Sequence, residues 1–443
     1  MDTLIIVGQL ILSLTILVTL HECGHFFPAK WFNTKVEKFY LFFDPWFSLF
    51  KVKKGETEYG IGWLPLGGYV KIAGMIDESF DKEHLDMEPQ PWEFRSKPSW
   101  QRLIIMIGGV TVNFILGMLI FAMVVFTWGE SFIPNSEIKN GIAVDSIGYE
   151  MGLRDGDKIV SVGDLEFTKF SPANFKIEII INEVNSYRVI RDGQELEIPL
   201  DKKFISVLTS QKYKDYSIFS ARTPYVIGKI VKGSPADKAG IIPEDQIIGV
   251  NGQKTIFSNE VLKEVRSNAG NSVDLSILRG GDTLQITSDI SDEGRLGVYA
   301  YGDDKFFARE NQKYGFIESF PKGYQMSVDF LTGQLKAFKK MFKKEIDYKE
   351  SLGSVISIAK QFGPTWEWPR FWIMTASLSI LLAFLNLLPI PGLDGGHVMF
   401  LLYEMITGRK PSDKVMEYAT LAGFILLVIL MIFALGLDIS RLF

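Results

Sequence analysis

His21 and His25 flank Glu22 in the run "HECGH", an H-E-x-x-H spacing. On a helix, residues i and i+4 share a face, so the two imidazoles can reach one metal ion. Glu22 lies beside them and could take a proton from a water molecule. Imidazole nitrogens and a carboxylate around an open position suit tetrahedral zinc. A catalytic zinc takes a third protein ligand. The run "LNLLPIPGLDGGH" (Leu385–His397) offers two candidates, Asp394 and, three residues on, His397. The fourth histidine, His84, stands in an acidic stretch and is expected to be solvated.

The element that carries the histidines reads as a membrane helix. No charge occurs from Thr3 to Leu20, immediately before His21. A charged group in a spanning helix costs about 2.5–3.5 kcal/mol, so such groups persist where they pair, bind metal or face a cavity. Four apolar runs stand out: Leu4–Leu20, Leu103–Thr127, Phe371–Leu388 and Ala419–Leu437. Each is long enough to span, the first only if its helix continues through the histidines. The first has no basic residue before it and no small-x-small site after it, so it reads as an uncleaved span. Pro389 and Pro391 break the third, and Gly392, Gly395 and Gly396 allow irregular backbone around Asp394.

Lysines and arginines near the span ends set the orientation. Nine flank one side (Lys30, Lys35, Lys38, Lys82, Arg95, Lys97, Arg409, Lys410, Lys414) and four the other (Lys139, Lys360, Arg370, Arg441). Residues 28–100 and 403–414 are then cytosolic, and both termini and the 130–369 region lie outside. That topology brings the H-E-x-x-H and Asp394 to the same face of the membrane at similar depth.

The 443 residues are 47% hydrophobic with a net charge of −5, too apolar for a wholly soluble protein and without the basic surplus of a nucleic-acid binder. Cys23 is the only cysteine, which excludes an internal disulfide.

The region between the second and third spans contains a repeat. "MGLRDGDKIVSVGD" (Met151–Asp164) matches "AGIIPEDQIIGVNG" (Ala239–Gly252), and Gly152/Gly240, Asp157/Asp245 and Arg191/Arg279 are each 88 residues apart. A constant offset argues for tandem copies of one small α+β module, with hairpin turns at "RDGQ" and "RGGD". The run Gly233–Gly252 resembles PDZ domains of the bacterial protease type. In the second copy the peptide-binding edge would fall near "YVIGKI" (Tyr225–Ile230). After the repeat, Phe330–Ile346 reads as a basic amphipathic helix suited to a membrane surface.

The paired motifs "HECGH" and "NLLPIPGLDGG" (Asn386–Gly396), with "GGYVKIAGM" (Gly67–Met75) between the first two spans, resemble the site-2 protease family of intramembrane zinc metalloproteases. The resemblance implies a multi-pass α-helical membrane protein. It would have four transmembrane helices, with tandem soluble PDZ domains inserted between the second and third. The parts expected are 1–27 (first helix), 28–100 (membrane-associated β segment), 101–129 (second helix), 130–220 and 221–305 (PDZ domains), 306–369 (helical linker) and 370–443 (third and fourth helices). His21, His25 and Asp394 would bind Zn2+, and Glu22 would be general base and then acid. Asn386 would hold the substrate backbone or the developing oxyanion. Gly67, Gly68, Tyr69 and Val70 would pair with an unwound substrate segment. Gly109 and Asn113 match a G-x-x-x-N feature, although Val110 stands where the family usually has proline. Implied partners are the lipid bilayer and membrane-protein substrates: single-span anti-sigma factors already trimmed outside, and remnant signal peptides. The implied place is the bacterial inner membrane, with the PDZ pair periplasmic and the active site towards the cytosol. Two rival readings are a non-catalytic PDZ scaffold that binds exported chain ends and a metal transporter; the latter wants more ligands along a path than the other spans offer.

Overall fold

The computed structural model describes residues 2–75, 88–210, 213, 216–346 and 353–440, so His84 and most of the acidic stretch around it lie outside the described residues. The chain divides into two units. One comprises Met1–Gly129, Lys313–Lys339 and Ser351–Phe443, and the other Glu130–Gln312 and Lys340–Glu350.

In the first unit, α1 (Asp2–Trp31) runs unbroken through both histidines, with no proline before Pro28. A long hairpin follows, β1 (Val36–Lys54) and β2 (Thr57–Ile72), then α2 (Ser99–Thr127). The later helices are α3 (Phe316–Phe342, crossing into the second unit), α4 (Val355–Gln361), α5 (Trp368–Leu387), α6 (Asp394–Thr407) and α7 (Asp413–Ser440). Four of these, α1, α2, α5 and α7 over Lys414–Ser440, are long and apolar enough to cross a membrane. Leu10 and Leu17 of α1 pack with Phe362, Phe371 and Leu378, and Ile120, Phe121 and Val124 of α2 pack with Ala376 and Ile380 of α5.

Small and polar residues draw these helices together, as they do where lipid removes the hydrophobic drive between helices. A Cβ on Gly24 would lie 2.5 Å from the Gly108 carbonyl oxygen, so α1 and α2 touch backbone to backbone. Thr375 Oγ1 donates to Ser13 Oγ (3.0 Å), and Ser379 Oγ to the Asn113 carbonyl (2.7 Å). At the far end of α7, Asp438 accepts from the Ser354 and Ser357 amides (3.0 and 3.1 Å), capping α4.

The hairpin folds back on itself. Lys38, Phe39, Tyr40 and Leu41 of β1 are matched on one side to Lys71, Val70, Tyr69 and Gly68, and on the other to Glu58, Tyr59, Gly60 and Ile61. Residues 68–72 therefore form an outer edge, with no further strand paired to them among the described residues.

The second unit holds two modules. In the first, strands Lys158–Val162, Ser186–Arg191 and Gln194–Pro199 pack with helix Pro172–Asn182; in the second, Gln246–Val250, Ser272–Arg279 and Asp282–Asp289 pack with helix Ser258–Ser267. Residues matched by the 88-residue offset make the same contacts. Arg191 grips Asp157 with two hydrogen bonds of 2.8 Å and donates to the Gly152 carbonyl, while Arg279 grips Asp245 with two of 2.7 Å and donates to the Gly240 carbonyl. Burial pushes the Asp245 carboxyl up, but the Arg279 and Ile242 hydrogen bonds outweigh it and hold it below its ordinary value. Asn259 Nδ2 donates to Asp155 across the two modules (2.9 Å), and Arg222 pairs with Glu260.

Two expectations need correction. Tyr225–Ile230 is not an open edge: it lies between Gln246–Val250 and Val298–Ala300. The chain returns after its last hairpin to cover it, a long-range pairing that local sequence does not announce. The lysine face of α3 is not uniformly free either. Lys340 is buried, 2.7 Å from Glu183 and 3.4 Å from Glu345, and the hydrogen bond from Lys340 lowers the Glu183 carboxyl. A periodic row of lysines cannot say which one meets a carboxylate 157 positions away.

Candidate active site

α1 presents His21 and His25 on one face, with ring centroids 4.9 Å apart at 82°. α5 ends at Leu387. A short turn, in which Gly392 takes φ = 98°, leads into α6, whose first residue is Asp394. Asp394 thus opens a helix instead of lying in irregular backbone. Its Oδ2 lies 3.3 Å from His21 Nε2 and 3.4 Å from His25 Nε2, and the two Nε2 atoms are 3.3 Å apart. A tetrahedral zinc about 2.0–2.1 Å from each donor sets them about 3.3–3.4 Å apart, so this near-equilateral triangle has the right edge. Asp394 Oδ2 is buried with no hydrogen-bond donor, which is costly for a lone carboxylate oxygen but suits one that faces a cation. Two imidazoles and a carboxylate are also the donor chemistry zinc takes. His397 is not in this cluster; it lines a separate small cavity with Arg95, Arg102 and Glu404.

α2 forms the floor of the cluster. Gly109 lies under both rings, where a Cβ would be 2.4 Å from His25 Nε2 and 2.6 Å from His21 Cε1. His25 Nδ1 is 2.8 Å from the Ile105 carbonyl, which fixes its proton on Nδ1 and leaves Nε2 to coordinate. Asn113 Nδ2 is 3.2 Å from His21 Nδ1, and Asn386 Nδ2 of α5 is 3.3 Å from His21 Nε2. Glu22 faces β2, close to the Val70 backbone amide. Gly68 lies against the same helix: a Cβ there would meet Val18 Cγ1 at 2.8 Å and Glu22 Cγ at 3.6 Å. The adjoining Tyr69 stacks on Tyr40 (5.2 Å) and donates to Asp44 (3.0 Å), while Gly67 lies over the Phe43 ring. The structure therefore gathers His21, Glu22, His25, Asp394, Asn386 and the Gly67–Val70 edge in one place. The Ile105 carbonyl is a contact that sequence reading does not reach, because any residue type supplies a carbonyl. Gly109 and Asn113 did carry a signal in their spacing, without a role attached to it.

Membrane-length helices enclosing a three-donor centre with an adjacent glutamate define the class, an integral-membrane metallopeptidase. The profile of Peptidase family M50 matches residues 9–430, and the chain belongs to that family. It is similar to the regulator of sigma-E protease RseP of Escherichia coli (strain K12), 30% identical over 462 residues and 98% of each chain. The regulator of sigma E protease of Haemophilus influenzae is 27% identical over 454 residues, again 98% of each chain. A relative in Neisseria meningitidis, with zinc metalloprotease in its name, is 27% identical over 455 residues and 98% of both. The chain is thus a membrane-embedded zinc metalloprotease, which sets aside the silent scaffold and the transporter.

Proposed function

We propose that the zinc is held by His21, His25 and Asp394, and that the enzyme hydrolyses peptide bonds within transmembrane segments beside the outer edge of β2. Its substrates on this reading are single-span membrane proteins such as pre-trimmed anti-sigma factors, with remnant signal peptides as a second group. It works in the bacterial inner membrane, with the repeated modules acting as periplasmic PDZ domains that exclude bulky substrates and the site towards the cytosol. The observation that carries the reading is the donor triangle with Glu22 beside it, next to an edge of β2 that pairs with no further strand among the described residues.

A peptide bond inside a helix is hidden by its own hydrogen bonds, so the substrate must first unwind. An open strand edge supplies replacement backbone partners. Trp46, Phe47, Leu49 and Phe50 on β1 are exposed apolar side chains, which suits a sheet that dips into lipid. When bound, zinc supplies Lewis-acid polarisation of the carbonyl and makes a water more acidic. Glu22, beside the Val70 backbone amide, takes the water's proton as its oxygen attacks the carbonyl carbon. It returns a proton to the amide nitrogen as the C–N bond breaks. Asn386 points an N–H donor into the same space, where negative charge develops on the former carbonyl oxygen.

The test is Glu22→Gln, with metal analysis and cleavage of a single-span substrate in membranes. The variant is expected to keep zinc and lose about 100- to 10,000-fold in rate. Full activity in Glu22→Gln refutes the role of Glu22, and an active metal-free enzyme refutes zinc.

A further inference from the structure

His21 and His25 differ in what holds their outer nitrogens. His25 Nδ1 faces a carbonyl, an acceptor by nature. His21 Nδ1 faces the side-chain amide of Asn113, which has a donor end and an acceptor end. In the structure the nitrogen end is turned to His21 at 3.2 Å, and Asn113 Oδ1 is buried with no partner. Asn113 is 1% exposed, so no bulk water serves that oxygen. A neutral imidazole carries one proton. With a donor opposite Nδ1, that proton must sit on Nε2, in the middle of the donor triangle. An orphaned buried oxygen is also costly. One exchange of the two amide ends, which have the same shape, turns the oxygen to His21 Nδ1 and gives it a donor.

We propose that Asn113 is the positioning residue of His21: its Oδ1 accepts the Nδ1–H and so leaves the Nε2 lone pair free for the metal. The backbone around it is suited to the task. The Asn113 carbonyl is pinned to α5 by Ser379, and Gly109, one turn earlier, lets both rings lie on α2. α2 then supplies both outer acceptors, the Ile105 carbonyl for His25 and Asn113 for His21. Partners of this kind fix tautomer and ring orientation, and losing one lowers metal affinity by about 10- to 100-fold.

The inference rests on His21 being a zinc ligand, and the experiment separates the two ideas. Zinc affinity of the full-length protein in detergent is measured by chelator competition, without substrate, for wild type, His21→Ala, Asn113→Leu and Asn113→Asp. Thermal unfolding of the zinc-free proteins is recorded alongside. Leucine has nearly the shape of asparagine and no acceptor; aspartate keeps the acceptor. Asn113→Leu is expected to bind zinc about 10- to 100-fold more weakly, with Asn113→Asp at or above wild-type affinity. Wild-type affinity in Asn113→Leu overturns the inference, as does an equal loss in both variants, which marks a packing role. If Asn113→Leu does not fold, Asn113→Asp decides alone: retained affinity supports the acceptor role and lost affinity overturns it. Undiminished affinity in His21→Ala instead overturns the reading of the metal centre.

Discussion

Gly109→Ala is the smallest change that reaches the site from outside the donor set. An added Cβ would lie 2.4 Å from His25 Nε2, 2.6 Å from His21 Cε1 and 2.9 Å from His21 Nδ1. Ordinary contact begins near 3.4 Å, so the His25 ring must retreat by about 1 Å. Separation of α1 from α2 is the other route of relief, at the expense of the Gly24–Gly108 backbone contact. Overpacking of this kind costs about 1–3 kcal/mol. A 1 Å displacement is a large error in a triangle whose edges are 3.3–3.4 Å. Misplacement on that scale costs on the order of 100-fold in rate. The assay is zinc affinity by chelator competition together with cleavage of a single-span substrate, with Gly436→Ala as control because its Cβ meets open space. Wild-type zinc affinity and cleavage in Gly109→Ala would refute the claim that this floor sets the donor geometry.

Gly423→Ala acts on the other half of the centre. Its Cβ would fall 1.3 Å from the Pro391 carbonyl oxygen, a backbone clash that no rotamer relieves, so α7 must leave the turn that presents Asp394. The unfolding midpoint and the cleavage rate are both expected to drop, and an unchanged midpoint contradicts this packing. The Arg279–Asp245 pair gives a pH signature. The folded carboxyl lies below its unfolded value of about 3.9, so its stabilisation is present above that pH and fades as pH falls through the folded value. Arg279→Ala leaves the Asp245 carboxylate buried without its arginine and is expected to destabilise the module at neutral pH. Burial then raises the carboxyl, and the variant's deficit is expected to shrink as pH falls from 6 to 3. Hydrogen exchange of peptides from 225–300 reads this locally; a constant deficit across that range contradicts the assignment.

Much of the centre was legible because its chemistry is local. An i,i+4 histidine pair with an intervening glutamate needs only one helix, and an apolar run long enough to span imposes that helix. Proline and glycine around Asp394 announced a break, and lysine asymmetry led to the expectation that both halves share one face. The 88-residue offset likewise foretold two copies of one small module, and the structure shows the matched residues forming the same Arg–Asp clamp in each. The choice between Asp394 and His397 was different. Three residues separate them on α6, about 60° apart round the helix, and the packing of α6 against α2 brings Asp394 and not His397 to the histidines.

Composition and spacing by themselves determined that this chain crosses a membrane, carries a zinc-type motif at the end of an apolar run and repeats a small domain outside the spans. Each follows from periodicity, length or residue chemistry within a single element. Tertiary structure alone decided the rest. It placed the 68–72 edge of β2 beside Glu22 with no further strand paired to it among the described residues, covered Tyr225–Ile230 with a returning strand, and paired Lys340 with Glu183. It also put Gly109 beneath two imidazoles and turned the Asn113 amide towards His21. These depend on contacts between residues far apart in the chain, and such contacts come into being only when the helices and sheets have packed.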